Sequence, residues 1–451
     1  MSAPSKVRSY FQTGSYTEGM SIVTVDAWMR RRREMDGAEG LWRIGDKLYD
    51  LEPFMDRHPG GRAWLEMTQG TDITEAVEIY HPDGQPKPEL LQKFYQREAR
   101  TPRISPFTLE EDGFYKTLKR RVKPILDGLG GTGPTFKSKA KIDTIFVLFL
   151  TCFFWTAETG SYGWAMLTGL VLGNLGYAAH NFVHQRFTWR WYYMDFSCAA
   201  SRSWQISHSI SHHLYPNSIQ DLEVTLFRPM VEFLVRPKNL YYRYVSKVTM
   251  VLLAPLAFVI EVVKLYANIL FGIQSFQREN IILPLELLVL WLYGTNRSFD
   301  ESLKLFICIQ MVCSFWYILI GFTAGHHHPE TYHDGDELRP KKEIDWGIFQ
   351  IDATRDRSHI ADSEFSLFFF GNHTLHHLFP AVDDGKLVKL YPAFLQTLKE
   401  FEHLRIGFSF MEWKEGLKGL FQQLSRTKPF AQPRTIATDD IFELLAKAKF
   451  D

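Results

Sequence analysis

Three short histidine clusters, far apart in the chain and separated by apolar runs, limit the folds open to it, because they make chemical sense only when brought together. The first is HNFVH, with His180 and His184; the second is HSISHH, with His208, His212 and His213; the third lies in GNHTLHHLFP and holds His373, His376 and His377. Together they take eight of the chain's 16 histidines. A spacing of four places His180 and His184 on one helix face, about one turn apart. Neutral imidazole binds iron, copper, nickel and zinc without a charged ligand. Tetrahedral zinc takes four ligands, so eight or nine nitrogens fit two six-coordinate metals better.

The runs between the clusters set the topology. A mean hydropathy of −0.17 hides a segregation in which apolar residues bunch between Ile142 and Gly325. Residues 144–157 and 163–179 predict a transmembrane hairpin across the polar break at 158–162. Three further runs follow, at 248–273, 281–293 and 303–324, yet only an even number of crossings returns His373 to the side of His213. Glu261 and Lys264 are costly at bilayer depth, which assigns 248–273 to the interface and leaves a second hairpin, about four transmembrane helices in all. The basic residues Lys116, Lys119, Arg120, Arg121, Lys123, Lys137, Lys139 and Lys141 precede the first run and mark a cytosolic border. Asn296 opens a glycosylation sequon in the expected lumenal loop. Zero net charge argues against nucleic acid as a partner. Cys152, Cys198, Cys308 and Cys313 lack CxxC spacing and are expected to be reduced. The N-terminus lacks the apolar core of a signal peptide, which keeps the first domain in the cytosol.

Residues 23–100 predict a small α+β domain in which two histidines clamp one haem iron. His58 stands in HPGG, where Gly60 and Gly61 let a flat cofactor approach the backbone. His81 ends a helical pattern capped by Thr71 or Asp72. Two axial imidazoles leave no open position, so such a haem passes electrons without binding oxygen. Trp42, LYDLEPF and HPGG resemble cytochrome b5, and His81-Pro82 resembles the b5 domains fused to lipid desaturases.

The chain from about 142 to 410 resembles the membrane fatty acid desaturase family, and in particular its front-end branch with an N-terminal b5 domain. The residues that carry this are HHLFP (His376 to Pro380), Asp345-Trp346, Gln350 and Thr354, with the order b5 domain, hairpin, two clusters, hairpin, third cluster. The resemblance implies a haem b and two non-haem irons in a cytosolic histidine cap. It further implies electrons from an NADH-dependent cytochrome b5 reductase, molecular oxygen, an acyl lipid substrate and a multi-pass place in the endoplasmic reticulum membrane. It adds His326 as a further metal ligand, against the alternative that His326, His327 and His328 form a solvated turn. The expected division is a tail at 1–22, the haem domain at 23–100, a basic linker at 101–141 whose glycines let the haem face visit the metals, the desaturase domain at 142–410 and a tail at 411–451.

Three departures bear on the chemistry. Asn181 stands where the family usually has an acid, three residues separate His208 from His212, and His373 replaces the usual glutamine. Hydroxylation by the same oxidant is therefore an alternative outcome. Two other classes are an electron carrier with a non-catalytic membrane domain, and a zinc hydrolase, which lacks HExxH. No ligation is expected of His333, His359 or His403. The runs Phe368–Phe370 and Trp189–Tyr193 are expected to anchor the membrane interface rather than line a tunnel. Lys447 and Lys449 have the dilysine spacing by which coat proteins retrieve membrane proteins to the endoplasmic reticulum.

Overall fold

The computed structural model describes residues 7–20, 23–82, 84, 86–294, 298–323, 325–340, 343–357 and 364–430. His359, Asn296 of the sequon and the lysines at 447 and 449 lie outside them.

The first domain begins with α1 (Val25–Met35), capped by the Thr24 hydroxyl, which accepts from the Ala27 N–H. The alternating WRI and KLY segments form the hairpin of β1 (Trp42–Ile44) and β2 (Lys47–Tyr49), turning at Gly45 with φ +61°. Trp42 is fully buried beneath it and donates its indole N–H to the Leu65 carbonyl. α2 (Arg62–Thr68) and α3 (Thr74–Tyr80) build the crevice, and β3 (Tyr95–Glu98) joins β2 antiparallel. At the head of α3 the Asp72 carboxylate accepts from the Thr74 N–H at 3.0 Å.

Residues 101–141 are not a free linker. α4 (Phe114–Gly128) buries Phe114, Tyr115, Leu118, Val122 and Leu126, one stripe at helical spacing, in a core shared with Trp346 and Phe379. The charges between these residues drew the border reading, but Lys119 turns inward and donates to the Glu78 carboxylate at 3.0 Å and the Glu78 carbonyl at 2.7 Å. Nor is the segment ahead of α1 free. Tyr10 and Phe11 sit in the same core, the Ser9 hydroxyl donates to Asp334 at 2.6 Å, and the Tyr10 hydroxyl accepts from the Arg339 N–H at 2.9 Å.

The apolar part holds two helical pairs: α5 (Phe136–Thr159) with α6 (Tyr162–Val183), and α7 (Ile282–Tyr293) with α8 (Phe299–Phe322). Glycines let α6 lie flush against α8. A Cβ on Gly169 would stand 2.6 Å from the Ile309 carbonyl, and one on Gly173 2.8 Å from the Trp316 ring. Among the described residues, α5 and α8 are long and apolar enough to cross a membrane. Of their expected partners, α6 has the length, about 33 Å at 1.5 Å per residue, whereas α7 at 12 residues spans about 18 Å. The run at 248–273 is broken, its helices bent by 73°, with Glu261 and Lys264 paired at 2.6 Å. All four cysteines are free thiols.

Past α8 the chain folds into a cap with α9 (Trp346–Asp352) and α10 (His373–Leu378). α11 (Trp413–Ser425) packs back onto it, with Gly416 against the Thr323 carbonyl, so the first part of the expected C-terminal tail is built into the fold.

Candidate metal centre

His58 and His81 face each other across the crevice of the first domain. Each Nδ1 donates to a backbone carbonyl, Gly61 at 2.9 Å and Val77 at 2.8 Å, which fixes the tautomer whose ligating lone pair is on Nε2. Their ring centroids are 6.3 Å apart. With metal–imidazole bonds of about 2.0 Å and a ring radius of roughly 1.1 Å, two axial imidazoles on one iron have centroids roughly 6.2 Å apart, so the pair fits haem ligation. Gly60 keeps the ring free, since a Cβ there would stand 2.9 Å from His58 Cε1. Burial holds the His58 pKa below its ordinary value, which favours the neutral ligand form.

The three clusters converge in the cap. His180 sits in the last turn of α6 and His184 caps its end. The second cluster occupies a π-helix over Gln205–His212, closed by a bond from the His213 N–H to the His208 carbonyl at 2.8 Å. This wider turn is a common local device at functional sites. α10 carries the third. His180, His184, His208, His213 and His376 form one group, and His212, His326 and His377 a second, with ligand atoms of each group within 4.8 Å of one another. His373 Nε2 joins the second group at 3.1 Å from His326 Nε2.

Distances and donors both favour a cation between these rings. The Nε2 atoms of His180 and His184 are 3.0 Å apart, those of His208 and His213 3.0 Å, and those of His180 and His376 3.2 Å. Two imidazoles side by side on one metal at about 2.1 Å are about 3.0 Å apart. His326 Nδ1 donates to the Ala353 carbonyl at 2.9 Å and His377 Nδ1 to Gln350 Oε1 at 3.0 Å. Their Nε2 lone pairs therefore confront each other at 2.9 Å, an arrangement that a shared cation makes favourable. Burial holds both rings well below the usual histidine pKa and keeps them neutral.

Sequence reasoning missed two acids here. Asp221 accepts from His212 Nδ1 at 2.9 Å and Glu223 from His208 Nδ1 at 2.6 Å. Burial lowers the His212 pKa, but Glu223 and Asp221 more than offset this and push it up to about 9. The signal was the acidic pair in QDLEV, just after the second cluster. Asn181 is used elsewhere than at a histidine ring: it donates to Asp383 at 2.8 Å and accepts from the Asp384 N–H at 3.0 Å, tying α6 to the chain beyond α10.

The solvated-turn reading of His326 to His328 does not hold, because all three are buried. His327 stacks on Phe233 with centroids 4.0 Å apart, and His328 lies against Arg355. His333 is buried as well, beside His327, whereas His403 is exposed.

A mainly apolar cavity of about 490 Å³ is lined by His208, His212, His326 and His373 together with Leu253, Phe258, Leu265 and Phe322. Phe370 lines it and packs on His180 at 4.9 Å, so this aromatic borders the cavity instead of anchoring a membrane surface. Trp191 and Tyr193, from the other run read as anchors, are buried in the helical core.

The haem domain is docked on this cap. The Tyr80 hydroxyl lies 3.1 Å from His184 Nδ1, the Phe187 N–H donates to the Gly60 carbonyl at 3.1 Å, and Trp64 meets Trp191 edge to face at 5.7 Å. Visiting on a flexible tether is therefore replaced by fixed contact, for which the packing of α4 gives the physical reason.

Comparison with known proteins agrees with this architecture. The fatty acid desaturase family model matches residues 159–409, and the cytochrome b5-like heme/steroid binding domain matches residues 30–100. The chain is 38% identical over 429 residues to cytochrome b5-related protein of Drosophila melanogaster, covering 91% of this chain and 93% of that protein. It is 25% identical to Delta(5) fatty acid desaturase A of Dictyostelium discoideum (81% and 87% covered) and 24% identical to acyl-lipid (8-3)-desaturase B of the same organism (85% and 90% covered). No solved structure matches significantly. A b5-like domain docked on a histidine-lined cap over apolar helices, matched over both parts by these models and relatives, makes the chain a member of the fatty acid desaturase family fused to a cytochrome b5-like domain.

Proposed function

We propose that the protein is a membrane lipid desaturase that uses oxygen to place a double bond in an acyl chain. In this reading His180, His184, His208, His212, His213, His326, His373, His376 and His377 hold two irons, and electrons arrive through haem b on His58 and His81. One observation carries it: nine imidazoles converge in two adjoining groups that border an apolar cavity. When bound, the iron pair supplies the oxygen-activating chemistry that an unactivated methylene requires. The chain's own residues do the rest. Asp221, Glu223, Gln350 and the Ala353 carbonyl fix ring orientation and tautomer through the Nδ1 atoms. The apolar wall admits a hydrocarbon tail and excludes water beside the histidines.

The test is lipid profiling after expression in a host that lacks the activity, with His376→Ala and His377→Ala beside the intact protein. A new double bond that both variants abolish is the expected result. A new hydroxyl instead assigns hydroxylation, and identical profiles from an iron-loaded protein refute the enzymatic reading. The Delta(5) and (8-3) positions belong to the names of relatives, and the double-bond position here is left to that profile.

The same reading puts the protein in the endoplasmic reticulum membrane, with haem domain and histidine cap on the cytosolic side and an NADH-dependent cytochrome b5 reductase as electron donor. Its support is the run of lysines in the first turns of α5, Lys137, Lys139 and Lys141, just before the apolar stretch. Labelling of single cysteines placed near His213 and His373 tests the sidedness. Reaction from opposite faces of sealed vesicles refutes it.

A further inference from the structure

We propose that Tyr80 is a positioning residue that bridges the haem site and the iron site across the domain boundary, an inference that rests on the function proposed above. Tyr80 precedes the haem ligand His81 in the chain, while its side chain leaves the haem domain for the cap. Its ring stacks on His184, with centroids 6.2 Å apart and planes at 15°. Trp64 holds the ring from its own domain, at 5.3 Å between centroids.

The hydrogen bonds give this contact a direction. The Tyr80 hydroxyl donates to the Ser209 carbonyl at 3.2 Å and so has a lone pair for His184 Nδ1–H at 3.1 Å. That leaves His184 Nε2, 3.0 Å from His180 Nε2, as the bare nitrogen of the iron site. Ser209 Oγ also lies 3.2 Å from His184 Nδ1, so each domain offers one acceptor to the same N–H. The connected path from haem to metal is short: the His81 imidazole, one peptide, the Tyr80 side chain, one hydrogen bond and the His184 ring.

With haem held by His58 and His81 and an iron pair held by the cap histidines, Tyr80 would lie on the path of single electrons: each would oxidise one ferrous haem and reduce one ferric iron, and the NADH-dependent reductase would re-reduce the haem. Losing the Tyr80 oxygen breaks the path but leaves Ser209 to steady His184, so transfer slows while iron is retained.

Tyr80→Phe keeps the ring and removes only that oxygen. In the full-length protein loaded with haem and iron, a light-driven flavin reductant reduces the haem without oxygen, and decay of the ferrous haem band reports transfer to the ferric pair. Tyr80→Phe is expected to keep its haem, its iron and its protease resistance between residues 101 and 113, while the decay slows about tenfold. Equal decay in both proteins overturns the bridge. Slower decay accompanied by new protease sensitivity also overturns it, because Tyr80 is then a docking contact only. A wild-type protein that binds haem but no iron pair instead overturns the function on which the bridge rests.

Discussion

Asp221 and His212 form a buried pair, carboxylate to Nδ1 at 2.9 Å, and the same carboxylate accepts from the Asn217 N–H at 2.9 Å. The acid thus fixes the ring to the backbone beside the second cluster. Asp221→Asn keeps the size and loses the charge, and is expected to weaken metal binding by about 10- to 100-fold. Iron content measured during stepwise chelation checks it; a titration that overlays wild type would show the acid to be dispensable.

A second expectation concerns α6. Gly173→Leu drives a side chain into Trp316, whereas Gly163 faces no atom closer than Ser161 Oγ at 3.5 Å. Overpacking of this kind costs about 1–3 kcal/mol. Thermal unfolding in detergent should therefore show a lower midpoint for Gly173→Leu and little change for Gly163→Ala.

Lys119 offers a test of the docked arrangement. Lys119→Met removes its bonds to Glu78, although Lys116 remains 2.7 Å from that carboxylate. A loss of about 2 kcal/mol is expected, seen as faster proteolysis between residues 101 and 113. Unchanged cleavage would mean that α4 holds without this contact.

His81→Ala should abolish the low-spin haem spectrum and leave the iron of the cap in place, since the two ligand sets lie in different domains. His58→Ala is expected to do the same. A normal spectrum from either variant would reassign the ligand.

The candidate iron-site histidines were legible because metal ligation concentrates histidines within a few residues of one another, as in His208 to His213, whereas His58 and His81 were read from HPGG and the resemblance to cytochrome b5. His326 was legible only through the family resemblance, and its burial against His377 follows from folding. Tyr80 was invisible for a different reason: its partner His184 is 104 residues away, and one aromatic at a helix end carries no periodic signal. The inward stripe of α4 was present in the sequence as Phe114, Leu118, Val122 and Leu126, yet the intervening lysines and arginines outweighed it. Asp221 and Glu223 stood beside the second cluster, but nothing in their spacing tells which acid a histidine will find.

The clasp formed by Ser9 and Tyr10 bears on the order in which the chain assembles. Their partners, Asp334 and Arg339, are 325 and 329 residues downstream, beyond every apolar helix described above. Ser9 and Tyr10 thus emerge from the ribosome before every apolar helix described here, and their partners emerge only after those helices have been made. Domains otherwise tend to fold as units during synthesis. Here the haem domain shares its core with residues such as Trp346, Phe379 and Phe408, so its seating is a late event, and a nascent chain stalled before residue 339 lacks the surface on which Ser9 and Tyr10 rest.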